Sequence, residues 1–324
     1  MIRIPSFRLR STTAILLGIS MAASVCGNEQ EGSKSQNSKT EIVATKVETL
    51  IDDLDSGTGG LAIDKDGNIY SADFGWRLDG RGKGGDKVFR ISAEGESKLF
   101  CRRMRGASGN CFDADGNLFQ SSIGGNFISK IDKEGNVSVF ARGLKNPVGV
   151  VSDKDGNLFV CNCGGGSIQK ITKDGQSEVW VQDKRLKCPN GIVQDQDGNF
   201  YVANFSNGDV IKITPEKKVS KLATIPGKNN GHLCFHEGSL YVVARAACQI
   251  YKVDLDGKAT VFAGSGKRGK GDGLPKDATF SLPNDIGVSP DGTKMYVNET
   301  SPTSGDHRIL GPTRIRIIHL KKKE

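Results

Sequence analysis

A short turn sequence recurs six times along this chain of 324 residues. Four copies read Asp-x-Asp-Gly-Asn and two are looser, HEGSL and SPDGT, and their glycines are residues 67, 116, 156, 198, 238 and 292. These glycines are separated by 49, 40, 42, 40 and 54 residues. A period of about 40 residues that contains several short strands is typical of β-propeller blades.

The copies share the segment pattern of a four-stranded antiparallel blade, which is incomplete only in the last copy. In the third copy an apolar segment, 148–152, precedes the Asp-Gly turn, and a second strand, 158–161, follows it. A glycine-rich loop then leads to segments 167–171 and 177–181. The first strands are nearly continuous apolar runs, as expected where neighbouring blades cover both faces. The fourth strands alternate, as expected at a half-exposed outer edge.

The last copy lacks a fourth strand. Its third segment, 314–320, is followed only by Lys-Lys-Lys-Glu, whereas a surplus segment, 42–50, precedes the first copy. We therefore predict that the N-terminal strand completes the last blade and removes the open sheet edge. The predicted fold class is all-β: a six-bladed β-propeller of four-stranded antiparallel blades over residues 42–320, followed by a basic tail at 321–324.

The N-terminus is typical of an exported protein. Arg3, Arg8 and Arg10 precede an apolar run over 14–25 that is too short to span a bilayer. Cys26 follows a segment that resembles a bacterial lipoprotein cleavage site, and ordinary cleavage after Ala22 is the alternative. We predict an export signal over 1–26, a disordered polar tether over 27–41, and a periplasmic or cell-surface location. Membrane contact is expected only through lipidation of Cys26.

Charge and cysteine content exclude some function classes. The formal charge is +8, and removal of the signal with its three arginines lowers it to +5. Because no stripe of Lys and Arg with interleaved aromatic residues is present, no nucleic-acid partner is expected. There are eight cysteines, and an oxidising compartment permits disulfides whose pairing the sequence leaves open.

Polar residues collect at one face of the predicted ring. The loops that lead into the first strands and those that follow the second strands share a face, opposite the Asp-Gly turns. Either these side chains bind a ligand, or the asparagines cap turns. The ligand-binding candidates are Asn110, Asn146, Asn204, Arg245 and Trp76.

Two segments carry a family resemblance. CPNGIVQDQDGNFYVAN (188–204) and LPNDIGVSPDGTKMYVNET (282–300) are similar to blades of the senescence-marker-protein/gluconolactonase (regucalcin-like) family. The stretch FAGSGKRGKGDGLPKDATFSLPNDIGVSPDG (262–292) resembles NHL-repeat propellers. The resemblance covers about residues 50–320 and implies a six-bladed propeller with a site in its central channel.

The resemblance implies a divalent cation, Ca²⁺ or another, and no organic cofactor. The positions that match the family's ligands, or lie nearest to them, are Asn190, Asn230, Asn284 and Asp285. The segment 56–60 has no Glu where the family has a ligand. A site with so few carboxylates would bind Ca²⁺ weakly.

Two functions remain open, so the sequence does not decide whether the protein is an enzyme. The first is a metal-dependent hydrolase of small lactones or esters, in which His232, Asp285 or Glu299 would move protons. The alternative is a non-enzymatic NHL-type propeller that binds a ligand, glycan or protein partner. In both, insertions at 76–87 and 301–311 are expected to roof the channel mouth.

Overall fold

The computed structural model describes residues 41–78 and 85–323, whose strands form six four-stranded sheets. The predicted export signal at 1–26 and nearly all of the predicted tether at 27–41 lie outside these residues. Within the described ranges, no helix is long and apolar enough to cross a membrane.

The strands follow one another blade by blade. Strand β1 (Glu41–Leu54) precedes the first blade. Blade one contains β2 (Thr58–Ile63), β3 (Ile69–Asp73), β4 (Val88–Ile91) and β5 (Ser97–Cys101). Blade two contains β6 (Ala107–Phe112), β7 (Leu118–Ser122), β8 (Phe127–Ile131) and β9 (Val137–Arg142). Blade three contains β10 (Pro147–Ser152), β11 (Leu158–Asn162), β12 (Ser167–Ile171) and β13 (Ser177–Gln182), with a short 3₁₀ turn at Cys163–Gly165.

The remaining blades repeat this order. Blade four contains β14 (Pro189–Gln194), β15 (Phe200–Asn204), β16 (Asp209–Ile213) and β17 (Val219–Thr224). Blade five contains β18 (Asn230–His236), β19 (Ser239–Ala244), β20 (Gln249–Asp254) and β21 (Ala259–Ala263). Blade six contributes β22 (Asp285–Val288), β23 (Lys294–Thr300) and β24 (Thr313–Lys323). All pairings between neighbouring strands within a blade are antiparallel.

The recurring Asp-Gly segments are tight turns between the first two strands of a blade. In the first copy the carboxylate of Asp64 accepts hydrogen bonds from the backbone N–H groups of Asp66, at 3.0 Å, and Asn68, at 2.8 Å. Gly67 has a φ of +86°, in the left-handed region that favours glycine. The carboxylate therefore serves the turn itself, which explains why the sequence recurs at one place in each repeat.

The apolar core lies between blades. Phe159 of blade three packs on Phe200 of blade four with ring centroids 4.3 Å apart, inside a cluster formed by both blades. Comparable clusters lie between the other neighbouring blades. The innermost strands β2, β6, β10, β14, β18 and β22 contact one another in succession, and β22 contacts β2, which closes the ring.

Closure by the N-terminal strand is confirmed. The sixth sheet has the order β1-β24-β23-β22, so β1 supplies the outermost strand that the last repeat lacks. The pairing runs from Glu41 opposite Lys323 to Leu54 opposite Thr313. Strand β24 therefore continues three residues beyond the predicted end of the propeller at 320, because β1 begins early enough to pair with the terminal lysines.

Candidate functional site

A ring of close backbone contacts surrounds the channel. Five innermost strands each carry a glycine at which an added Cβ would lie only 2.1 to 2.6 Å from an atom of the next blade's backbone: Gly60, Gly109, Gly149, Gly191 and Gly231. Real Cβ atoms do not approach backbone so closely, so only glycine fits here. These glycines bring the innermost strands together and narrow the channel.

His232 and Asp285 meet at this level of the channel. His232 on β18 and Asp285 on β22 are 6% and 5% exposed, and His232 Nδ1 lies 3.5 Å from Asp285 Oδ2. The backbone N–H of His232 also donates to the carbonyl of Asn284 at 2.7 Å. A side-chain contact and a backbone hydrogen bond therefore both join blade five to blade six at His232.

The Asp285 carboxylate is fixed by backbone donors. Its Oδ2 accepts the N–H of Leu61 in blade one at 2.8 Å, and its Oδ1 accepts the N–H of Ile286 at 2.7 Å. Burial raises the pKa of the Asp285 carboxyl, and His232 together with these two N–H groups opposes that rise. Such a carboxylate can orient a histidine and stabilise its protonated form.

The imidazole of His232 extends towards the blade on the opposite side of the channel. A Cβ on Gly109, in blade two, would lie 2.8 Å from His232 Cε1. Blade two stands opposite blade five in a ring of six, so the imidazole lies across the channel. No described residue hydrogen-bonds to its Nε2. With Nδ1 directed at Asp285, Nε2 is the nitrogen that can contact a ligand.

The predicted metal-ligand asparagines connect neighbouring elements through their amide nitrogens. Asn190 donates to the carbonyl of Asn230 at 2.9 Å, and Asn230 donates to the carbonyl of Gly208 at 2.8 Å. Asn284 donates to the carbonyl of Gly59 at 2.8 Å. The Oδ1 atom of Asn230 is buried without a hydrogen-bond partner.

This set of donors does not fit a strong divalent-cation site. In residues 41–78 and 85–323, no group of three or more His, Cys, Asp or Glu side chains could hold a metal. Asp285, the one carboxylate of the predicted set, already accepts two backbone N–H groups. Ca²⁺ prefers six to eight oxygen ligands with several carboxylates. The Ca²⁺ site stays a prediction from the resemblance.

Glu299 has partners other than His232 and Asp285. It is fully buried, and its Oε1 accepts from Arg314 at 3.1 Å and from Arg316 at 2.9 Å. Its Oε2 accepts the backbone N–H of Ser281 at 2.6 Å. Burial raises the pKa of Glu299, and the two arginines oppose that rise. A carboxylate with both oxygens engaged in this way is part of an ion-pair cluster within the fold.

Three predicted ligand residues make local structural contacts. Asn204 is fully buried and receives the N–H of Lys187 at 3.2 Å on its Oδ1. Asn110 is buried and donates to the carbonyl of Tyr70 at 3.3 Å. Asn146 is exposed and has a φ of +51°. For Asn204 and Asn146 these contacts match the turn-capping alternative.

The two insertions contact each other. The N–H of Leu310 donates to the carbonyl of Trp76 at 2.9 Å, and Arg77 pairs with Asp306 at 2.8 Å. Arg245 at the end of β19 is 3% exposed and donates to the carbonyl of His307 at 3.4 Å. The described residues of the two insertions, 76–78 and 301–311, thus form a strap that contacts blade five on the side of the ring where β18 begins.

Sequence reasoning missed two features of this face. The first is a disulfide between Cys163 and Cys188. The second is Arg268, which approaches the insertion 301–311 from the glycine-rich segment before blade six. Neither the spacing of the cysteines nor the sequence around Arg268 indicates these contacts, because the contacts depend on which loops meet in the ring.

The Virginiamycin B lyase family matches residues 48–242 of this chain. The chain belongs to this family. The predicted NHL and gluconolactonase-like propeller superfamily is confirmed by this match together with the solved structures that it resembles. No curated protein matches the chain.

Solved structures of other proteins show the same fold. Virginiamycin B lyase from Staphylococcus aureus superposes with a TM-score of 0.58 at 14% identity, over 86% of this chain and 99% of that one. A catalytically inactive histidine-to-alanine variant of that enzyme, with quinupristin, gives 0.60 at 15% identity, over 86% and 99%. A gluconolactonase from Xanthomonas campestris gives 0.64 at 15% identity, over 85% and 89%. This member of the Virginiamycin B lyase family therefore shares its propeller fold with a lyase and a gluconolactonase.

Proposed function

We propose that this protein is an exported enzyme that opens small lactones or other cyclic esters, with His232 as the proton-moving group. The observation that carries the proposal is the buried pair of His232 and Asp285, 3.5 Å apart, in the central channel. The family relationship supports an enzyme, because similar propellers are named as a lyase and a gluconolactonase. The inactive histidine variant of the lyase also supports a histidine in this role.

The proposed chemistry follows from the geometry of the pair. Asp285 keeps Nδ1 of the imidazole on its own side, so that Nε2 faces the ligand. For hydrolysis, Nε2 takes a proton from water, the resulting hydroxide adds to the ester carbonyl, and the departing alkoxide recovers the proton. The imidazolium that forms in between lies next to the Asp285 carboxylate, which stabilises its charge.

An elimination is the second way in which the same base could open a cyclic ester. In that reaction Nε2 removes a proton from carbon, and the ester oxygen leaves as a carboxylate with formation of a carbon–carbon double bond. The family name favours this route. The products distinguish the two, because hydrolysis gives a product heavier by one water and elimination gives an isomer of the substrate.

Turnover of δ-gluconolactone and of quinupristin by the purified protein, followed by mass spectrometry, tests the proposal. We expect His232→Asn to lower kcat/KM by about a hundredfold or more, since a positioned general base contributes that much. His236→Asn is the matched control, because His236 ends the same strand at the Asp-Gly face, and it should retain activity. No turnover by the wild type, or full activity in His232→Asn, would exclude the proposed role and favour the ligand-binding alternative.

A chelator tests the predicted Ca²⁺ dependence in the same assay. Because the donors at Asn190, Asn230, Asn284 and Asp285 do not form a strong cation site, we expect treatment with EDTA to leave turnover unchanged. Loss of turnover that added Ca²⁺ restores would instead establish the metal-dependent hydrolase implied by the resemblance.

Export is proposed from the N-terminal sequence and is supported by the Cys163–Cys188 disulfide. Structural disulfides persist in oxidising compartments and are rare in the cytosol. Cell fractionation of a bacterial host that expresses the full chain tests the location, and palmitate labelling of wild type and Cys26→Ala tests lipidation. Recovery of the chain from the cytosol alone would contradict the proposal.

A further inference from the structure

Arg245 is a buried cation with no carboxylate partner among the described residues. The residue is 3% exposed, and within the described residues the guanidinium makes one hydrogen bond, the 3.4 Å contact of Nη2 with the carbonyl of His307. Two further deeply buried arginines, Arg314 and Arg316 of blade six, share the Glu299 carboxylate. Burying a charge without a partner is costly, so an unpaired Arg245 suggests that its partner is a ligand.

A second guanidinium, that of Arg268, lies beside it, and no acid in the described part of the chain pairs with it. Arg268 donates to Ser281 Oγ at 3.1 Å, to the Gly305 carbonyl at 3.2 Å and to the Pro302 carbonyl at 2.9 Å. All three acceptors are uncharged. Burial lowers the pKa of Arg245 to about 10, and repulsion from Arg268 adds to that effect.

The acidic side chains nearby are already engaged. Glu299 lies beyond Ser281 and holds Arg314 and Arg316. Asp306, within the strap, pairs with Arg77 at 2.8 Å and with Arg308 at 2.9 Å. Among the described residues, no carboxylate neutralises the guanidinium groups of Arg245 and Arg268. Both therefore keep their positive charge beneath the strap.

This positive charge lies at the mouth of the channel that contains His232. Arg245 directly follows Ala244, which pairs with Asn230 at the start of β18, and His232 is two residues further along the same strand. The His307 carbonyl places the strap over the guanidinium. A ligand that contacts Nε2 of His232 can therefore extend towards Arg245.

We propose that Arg245, with Arg268 behind it, binds a carboxylate of the ligand. The planar guanidinium fork matches a carboxylate with two parallel hydrogen bonds, and burial strengthens that attraction. If the proposed function holds, the substrates are cyclic esters that carry a free carboxylate or products that acquire one on ring opening. The anion site itself does not depend on turnover.

Isothermal titration with D-gluconate, and with glucose as a neutral compound of similar size, tests the proposal. We expect gluconate to bind the wild type more tightly than glucose does. Arg245→Met should weaken gluconate binding by roughly thirtyfold or more, because it removes the buried cation that pairs with the gluconate carboxylate. Arg268→Gln should weaken binding less, and Arg142→Gln, at an exposed arginine of blade two, should leave it unchanged.

Thermal melting separates a binding role from a structural one. Because Arg245→Met removes an uncompensated buried charge, we expect the unliganded variant to melt at the wild-type temperature or above it. His232→Asn should weaken gluconate binding far less than Arg245→Met does, so loss of turnover and loss of the anion site can be told apart. Equal binding of glucose and gluconate, or unchanged gluconate affinity in Arg245→Met, would overturn the proposal.

Discussion

At the residue scale, burial decides what each polar side chain can do. His232 and Glu299 both end up on the polar half of the ring, but their partners differ. His232 retains a ring nitrogen that bonds to no residue in the ranges 41–78 and 85–323, whereas the carboxylate of Glu299 is occupied by Arg314, Arg316 and the N–H of Ser281. Two acid–base candidates of similar appearance in the sequence therefore occupy different chemical environments.

Glu299→Gln tests its structural contribution. Loss of the carboxylate leaves Arg314 and Arg316 dependent on Asp52 and Asp272, which are partly exposed. Because removal of one partner of a buried ion pair is strongly destabilising, we expect the free energy of unfolding to fall by about 3 kcal/mol. Urea denaturation measures this, with Glu48→Gln, at a partly exposed ion pair with His319, as the control. Wild-type stability in Glu299→Gln would contradict the assignment.

At the element scale, β1 holds the ring closed. It pairs with β24 along its length, and Val47 is fully buried in the cluster that also contains Ile318. Backbone hydrogen bonds of 2.8 and 2.9 Å also join Val47 to Gly273, in the segment that precedes β22. The strand therefore joins the last blade and the chain that leads into it.

A chain that starts at residue 55 should lose this closure. Without β1 the edge of β24 is unpaired and the apolar surface around Ile318 is exposed, which favours association between chains. We expect a lower and broader melting transition and larger species in size-exclusion chromatography. A chain that starts at residue 41 keeps β1 and should behave as the full-length protein does; identical behaviour of both truncations would show that β1 is dispensable.

At the scale of the whole molecule, contacts between blades hold the ring together. Each apolar cluster is shared by neighbours, and the Cys163–Cys188 disulfide adds a covalent link between the turn after β11 and the residue before β14. Blades three and four are therefore joined both by packing and by a bond.

Reduction of this disulfide should destabilise the protein. The bond closes a loop with a sequence separation of 25 residues, for which chain entropy predicts a contribution of about 3 kcal/mol. Cys163→Ala/Cys188→Ala should melt several degrees below wild type, and a reducing agent should lower the wild-type midpoint by a similar amount. Cys101→Ala, which removes a free buried thiol, is the control. Its melting midpoint should fall on reduction by the same amount as that of the wild type. Equal midpoints with and without reductant would exclude a stabilising bond.

The sequence by itself determined the architecture. A turn sequence repeated every 40 residues or so, apolar inner strands and a last repeat without its fourth strand lead to six blades and closure by β1. These features are local and repeated, so each copy strengthens the same interpretation. The order of strands within a blade also placed His232, Asn190, Asn284 and Asp285 on one side of the ring.

Only the tertiary structure decided which of these side chains act together. His232 and Asp285 meet because adjacent innermost strands approach closely at glycines such as Gly231, and Glu299 is withdrawn because two arginines of the next strand reach it. Arg245 and Arg268 come together through loops of different blades. Contacts of this kind depend on side-chain direction and on loops that are distant in sequence. Residue type and spacing alone therefore do not predict them.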